Sequence, residues 1–231
     1  MNNDLIFKKL EEIKAELNAL GTSIRVDGDF EAEALLKKYK PAGSEKEESL
    51  SKLRDEVLKC TACTLHKTRT NVVFGEGNTN ARIMFIGEAP GKNEDLQGKP
   101  FVGAAGNLLT KIIEAMGLKR EDIYIANVVK CRPPRNRDPL PKEIEACENI
   151  LLQQIAIIKP EVICTLGKFA TQTILGTKLP ILKLHGQWHK YHDIDVMPTL
   201  HPAACLYNPS NKRVVWEDVQ KIMKRMGLKK E

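Results

Sequence analysis

Two groups of side chains in this sequence have the types and spacing for chemistry. The first is a set of cysteines. Six are present, at 60, 63, 131, 147, 164 and 205. Cys60 and Cys63 form a Cys-x-x-Cys pair, and Cys131 and Cys147 follow with 15 residues between them. Four thiolates suit either zinc or an iron–sulfur cluster by count. The second pair lacks the Cys-x-x-Cys spacing of a zinc ribbon. Cys164 sits in an apolar run and reads as a small core residue. Cys205 lies in a loop.

The second group is spread over three loop segments. GEAPGKNEDLQGKPFVGAAG (87–106) is glycine-rich and holds Glu88, Glu94, Asp95 and the aromatic Phe101. It matches neither a dinucleotide-binding fingerprint nor a Walker loop. Its end, near Gly103–Gly106, reads as a helix start whose backbone N–H groups suit an anion. ANVVKCRPPRNRDPLP (126–141) opens on Asn127, whose amide sets a donor beside an acceptor. That pair either caps the loop locally or complements a ring edge carrying an N–H and a C=O. Arg132, Arg135 and Arg137 follow, as phosphate contacts or as a solvated face. LHPAACLYNPS (200–210) places His201 where it can donate to a developing negative charge.

The elements that must position these residues alternate. Short apolar runs at 82–87, 123–129, 161–167 and 194–200 read as strands. Helical patterns fall at 104–117, 141–158, 168–175 and 212–227, with Gly117 as a helix stop and Pro141 in a first turn. Strands alternating with helices predict an α/β fold of three α/β/α layers around a parallel sheet. In such sheets ligands bind beyond the carboxyl ends of the strands. Glu88 and His201 directly follow predicted strands, and Asn127 lies at a strand's end. Upstream, 4–20 and 30–40 carry helical patterns, and PAGSEKEES (41–49) reads as a linker. The expected division is a helical extension and linker over 1–50 and a catalytic body over 51–231.

Charge divides in the same way. The chain of 231 residues carries a net +6, with 8 basic and 11 acidic groups in residues 1–50. The remaining body is therefore basic, which suits a polyanionic partner. No apolar run reaches the roughly 18 residues of a membrane span, and the charged N-terminus lacks the apolar stretch of a secretory signal. A soluble, cytoplasmic protein is expected.

Taken together, CTAC (60–63), the 87–106 loop, NVVKCRPPRNRDP (127–139), Cys147 and LHPA (200–203) resemble the family 4 uracil-DNA glycosylases, the iron–sulfur class. The resemblance covers residues 60–203 and leaves the first 50 outside. It implies a central four-stranded parallel sheet and a [4Fe–4S] cluster on Cys60, Cys63, Cys131 and Cys147. It also implies a monomer that hydrolyses the N-glycosidic bond of deoxyuridine in single- or double-stranded DNA. Gly87 and Ala89 then belong to the substrate pocket, with Ala89 where related glycosylases carry Asp. Phe101 is the face on which a flipped uracil stacks, Asn127 reads its O4 and N3–H, and His201 bonds its O2. Water activation falls to Glu88 or Glu94, a choice left open, since Glu94 also fits a role in crowding C5 of the base. Leu206 is a candidate wedge for the vacated stack. Residues 1–50 are read as a binding segment for a repair or replication partner or as an inert appendage.

Three other readings compete. Relatives that bond covalently to the abasic sugar carry a basic, His-containing insertion, and 130–141 contains no His. A zinc-stapled binding module would be colourless and release no base. An electron carrier fits poorly with a glycine-rich loop of carboxylates.

Overall fold

The apolar runs form the strands they predict. The computed structural model describes residues 42–228, so the helices expected at 4–20 and 30–40 lie outside the described residues. Strands β2 (Ile83–Gly87), β3 (Tyr124–Asn127), β4 (Val162–Leu166) and β6 (Ile194–Thr199) pair in parallel, in the order β3-β2-β4-β6. Two short antiparallel edge strands, β1 (Glu76–Gly77) and β5 (His189–Tyr191), widen the sheet to six strands. This corrects the expected four. The edge strands escape a hydrophobic reading because they are two and three residues long and none of their residues is buried.

Both faces of the sheet are covered, as the continuous apolar strands require. Along β2, Met84 and Ile86 point to one face and Ile83 and Phe85 to the other. The first face packs on α1 (Ala42–Leu58), α4 (Pro141–Ile158) and α5 (Lys168–Leu175), through Leu50, Leu53, Leu151, Ile155 and Ala170. The second packs on α3 (Ala104–Ala115) and the last helix, α8 (Asn211–Met226), through Leu109, Ile113, Val215, Val219 and Ile222. Three shorter α-helices complete the set among the described residues: α2 (Lys92–Gln97), α6 (Ile181–Leu184) and α7 (Pro202–Tyr207). Among the described residues no helix is long and apolar enough to cross a membrane.

The segment expected as a linker is helical from Ala42, because α1 runs through it. Leu50, Leu53 and Val57 recur at helical spacing and are buried, which anchors the polar turns before them. The stop at Gly117 is as expected. Gly117 takes φ 77°, and the Gly117 and Leu118 amides donate to Glu114 and Ile113, closing α3 with a pair of reversed bonds.

Parallel pairing puts the carboxyl ends of β2 and β3 side by side, with Gly87 opposite Asn127. The loop after β2 and the loop after β3 therefore rise from the same edge as the loop after β6. Leu151, fully buried on α4, fixes that helix to the sheet. Leu151→Ala is expected to lower stability by about 2–5 kcal/mol, through lost burial and a cavity, measured as the shift in urea midpoint at constant slope.

Candidate active site and cysteine centre

Three loops meet in one cleft of about 470 Å³ beyond the strand ends. Glu88, Ala89, Glu94, Phe101, Asn127 and His201 all line it. Every substrate or catalytic residue expected from the sequence is therefore in or against one cavity, with Gly87 at its floor.

The floor is set by an absent side chain. A Cβ on Gly87 would lie 2.4 Å from Asn127 Oδ1 and 2.6 Å from Phe101 Cζ. Only glycine lets the amide and the ring close over that backbone. Asn127 is buried, and its Oδ1 has no hydrogen-bond partner among the described residues. A buried acceptor left unpaired costs about 1–3 kcal/mol, so the position is built to be completed by a donor from outside.

Phe101 is held in a strained backbone. Its φ of 53° is in the left-handed region, rare for a bulky residue. Arg120 donates to the carbonyls of Pro100 (2.8 Å) and Phe101 (3.2 Å). Glu94 accepts from the amides of Val102 (2.9 Å) and Gly103 (2.8 Å) through Oε1. Guanidinium and carboxylate thus clamp the strained residue from both sides. Gly106 allows the turn, since a Cβ there would sit 2.0 Å from the Phe101 carbonyl oxygen. The amides at the entry to α3 were expected to serve an anion. Those of Val102 and Gly103 are instead filled by the protein's own carboxylate. Asp95, buried on α2, braces the same loop by accepting from the amides of Thr70 and Asn71.

His201 precedes α7, and its Nδ1 accepts from the Ala203 amide at 3.2 Å. Burial pushes its pKa down to about 4, against a smaller upward pull from Glu94. The ring is therefore neutral near pH 7 and carries its proton on Nε2. The Phe101 and His201 rings lie 5.6 Å apart, tilted by 32°. Burial acts in the opposite sense on Glu88. It raises the carboxyl to about 7, helped by the negative charge of Asp138 and opposed by Lys168.

Sequence reasoning missed several residues of the cleft. Asn136 and Asp138 line it from the loop after β3, and Tyr207 stands at its mouth, 91% exposed beside the exposed Leu206. Of the three arginines considered for phosphate, Arg137 is committed to the buried Glu143 through two bonds of 2.9 and 2.7 Å. Arg132 donates to Asn136 Oδ1, and Arg135 lies on the exposed turn. Tyr207 carries the signal of an aromatic in a polar loop. Asp138, one charge among many, carries none.

The cysteines converge on a second place. Cys60, Cys63, Cys131 and Cys147 line one cavity with His66 and Arg69, and no disulfide joins them. Arg69 donates to Cys131 Sγ (3.2 Å), and the Lys130 amide donates to Cys147 Sγ (3.2 Å). Burial raises both thiols, while those donors favour the thiolates. Cys164 is fully buried in β4, and Cys205 is buried on α7 rather than in a loop; both lie away from this cavity.

The family model described as the uracil DNA glycosylase superfamily matches residues 74–220. The chain belongs to the uracil-DNA glycosylase superfamily. Within the superfamily it is similar to the type-4 uracil-DNA glycosylase of Saccharolobus solfataricus, 50% identical over 79% of this chain and 88% of the relative. The type-4 enzyme of Thermotoga maritima is 49% identical over 80% of this chain and 98% of the relative. The type-5 uracil-DNA glycosylase of Pyrobaculum aerophilum is more distant, 29% identical over 64% and 72% of the two chains. The superfamily assignment carries the α/β class read from the strand and helix pattern.

The clamp around Phe101 makes a check on this geometry. Gly106→Ala is expected to cost about 1–3 kcal/mol by overpacking against backbone that no rotamer change relieves, seen as a lower thermal midpoint. An unchanged midpoint would mean that the turn at Phe101 is not as tight as described.

Proposed function

We propose that this chain is a type-4 uracil-DNA glycosylase that hydrolyses the N-glycosidic bond of deoxyuridine in DNA, with a [4Fe–4S] cluster on Cys60, Cys63, Cys131 and Cys147. The observation that carries the reading is the unpartnered, buried Oδ1 of Asn127 at the floor of the cleft. Uracil presents N3–H to it and O4 to the neighbouring amide N–H. Cytosine has an acceptor at N3 and a donor at position 4, so it mismatches both. The target nucleotide must leave the stack to reach this floor, where the Phe101 ring offers its face.

The chemistry then divides between two groups. As the C1′–N1 bond breaks, its electron pair moves into the uracil ring and charge grows on O2. The neutral His201 donates Nε2–H to that oxygen without adding a competing cation. Water adds to C1′, and its proton passes to the Glu88 carboxylate. The open choice between the two glutamates falls to Glu88 because Glu94 already braces Val102 and Gly103 through one oxygen. Glu94 is assigned the wall of the cleft beside the base. Leu206 and Tyr207, exposed together at the mouth, are assigned to the gap left in the stack.

The donor set fits the proposed cluster. The four thiols share one cavity, and two of them already accept N–H bonds of the kind that stabilise cluster sulfurs. Four thiols suit zinc by count as well, and the choice of the cluster rests on the resemblance to the iron–sulfur class. Hydrolysis requires no electron transfer, and the cluster's contribution is to tie the segment before β1 to α4 and to the loop after β3.

Two measurements test this. Release of uracil from a labelled single-uracil oligonucleotide should rise as pH passes through about 7, the Glu88 carboxyl giving up its proton, and Glu88→Gln should lose both the inflection and most of the rate, about 100-fold or more. An unchanged profile in the variant would remove Glu88 from the chemistry. Cys131→Ser should lower iron content and folding yield together. Loss of iron with unaltered stability would end the structural role of the cluster.

A further inference from the structure

Asn127 is the last residue of β3, and beyond it the sheet no longer supplies partners for its carbonyl. The partner comes from three residues on. Lys130 is 1% exposed, and its Nζ donates to the Asn127 carbonyl at 2.7 Å. The same Nζ donates to Gln154 Oε1 at 2.6 Å. Gln154, fully buried on α4, donates in turn to the Phe74 carbonyl (2.9 Å) and the Tyr124 hydroxyl (3.2 Å). The main chain of Lys130 is engaged as well. Its amide donates to Cys147 Sγ, and its carbonyl accepts from the Val73 amide at 2.8 Å.

We propose that Lys130 is a positioning residue for base recognition, capping the end of β3 so that the Asn127 amide faces the cleft at a fixed height above Gly87. The inference rests on the reading of Asn127 as the group that recognises uracil. A buried ammonium is an expensive way to fill a core position, and leucine would pack there without loss of apolar burial. What an apolar side chain cannot do is satisfy a buried strand-end carbonyl. With that carbonyl released, the peptide after Asn127 can rotate toward another donor. The Asn127 Oδ1 occupies space that a Cβ on Gly87 would fill, so a rotation of that peptide carries the amide away from its place over the Gly87 backbone. Gln154 holds the ammonium in place from α4, outside the cleft. Neither Lys130 nor Gln154 lines the cleft, so neither touches DNA or the base.

A double-mutant cycle between Lys130→Met and Asn127→Ala, read by single-turnover uracil release per folded protein, tests this. Lys130→Met alone is expected to lower kcat about 10- to 100-fold with the KM for DNA unchanged. In the Asn127→Ala background the same substitution should cause no further loss, because both act through one amide. Gln154→Met, which leaves Lys130 in place with one acceptor fewer, should show a smaller loss with the same non-additivity, and it decides the matter if Lys130→Met fails to fold. Full additivity with Asn127→Ala, or a kcat per folded molecule equal to that of the unaltered protein, overturns the positioning role. If Asn127→Ala alone leaves uracil release intact, the assignment of Asn127 is what fails, and the role of Lys130 falls with it.

Discussion

The close approach over Gly87 is the constraint on which the rest of the site depends. Asn127 and Phe101 both come within the space that a Cβ would fill at that residue. Strand pairing fixes the first contact, because β2 and β3 run parallel with Gly87 opposite Asn127. The second contact is local and strained, and it needs Glu94, Arg120 and Gly106 to hold Phe101 in its left-handed conformation. The narrow floor is thus a joint product of sheet register and loop bracing. A side chain at 87 would dismantle both.

Burial then sets the protonation of the site with one cause acting in two directions. Removing water disfavours charge, so the carboxyl of Glu88 rises to about 7 and the imidazole of His201 falls to about 4. Histidine is settled well on the neutral side near pH 7, whereas the glutamate is divided between its two forms. An acid and a base with separated titrations in one cavity is the arrangement that proton-transfer sites use. The backbone contributes too, since the Ala203 amide determines which nitrogen of His201 keeps its hydrogen.

Much of this was legible in the residues, and the exceptions have physical reasons. The four parallel strands are continuous apolar runs and stand where hydrophobicity puts them. The loops at their carboxyl ends then had to share an edge, which is how Glu88, Asn127 and His201 come together from positions far apart in the chain. The edge strands β1 and β5 were invisible because short exposed pairing leaves no periodic signal. The start of α1 was concealed by the polar PAGSEKEES composition, although Leu50, Leu53 and Val57 carried the helical spacing. Glu94 was placed in the right loop without its partners, since no pattern announces which amides a carboxylate will accept. Lys130 was overlooked for the opposite reason: a lysine between valine and cysteine is easily taken for a surface residue, and only the fold shows it sealed inside.

The bracing has a mechanical consequence. Each wall of the cleft is fixed by its own internal bond: Glu94 holds the Phe101 loop, Glu143 grips Arg137 on the loop after β3, and Ala203 holds the His201 ring. Such a cavity has little compliance, and the deformation of a protein–DNA encounter is left to the softer body. The nucleotides easiest to accept are those whose stacking and pairing are already weak. Under the proposed function, part of the selection among sites is then exercised by the elasticity of the duplex, before any atom of the base has entered the cleft.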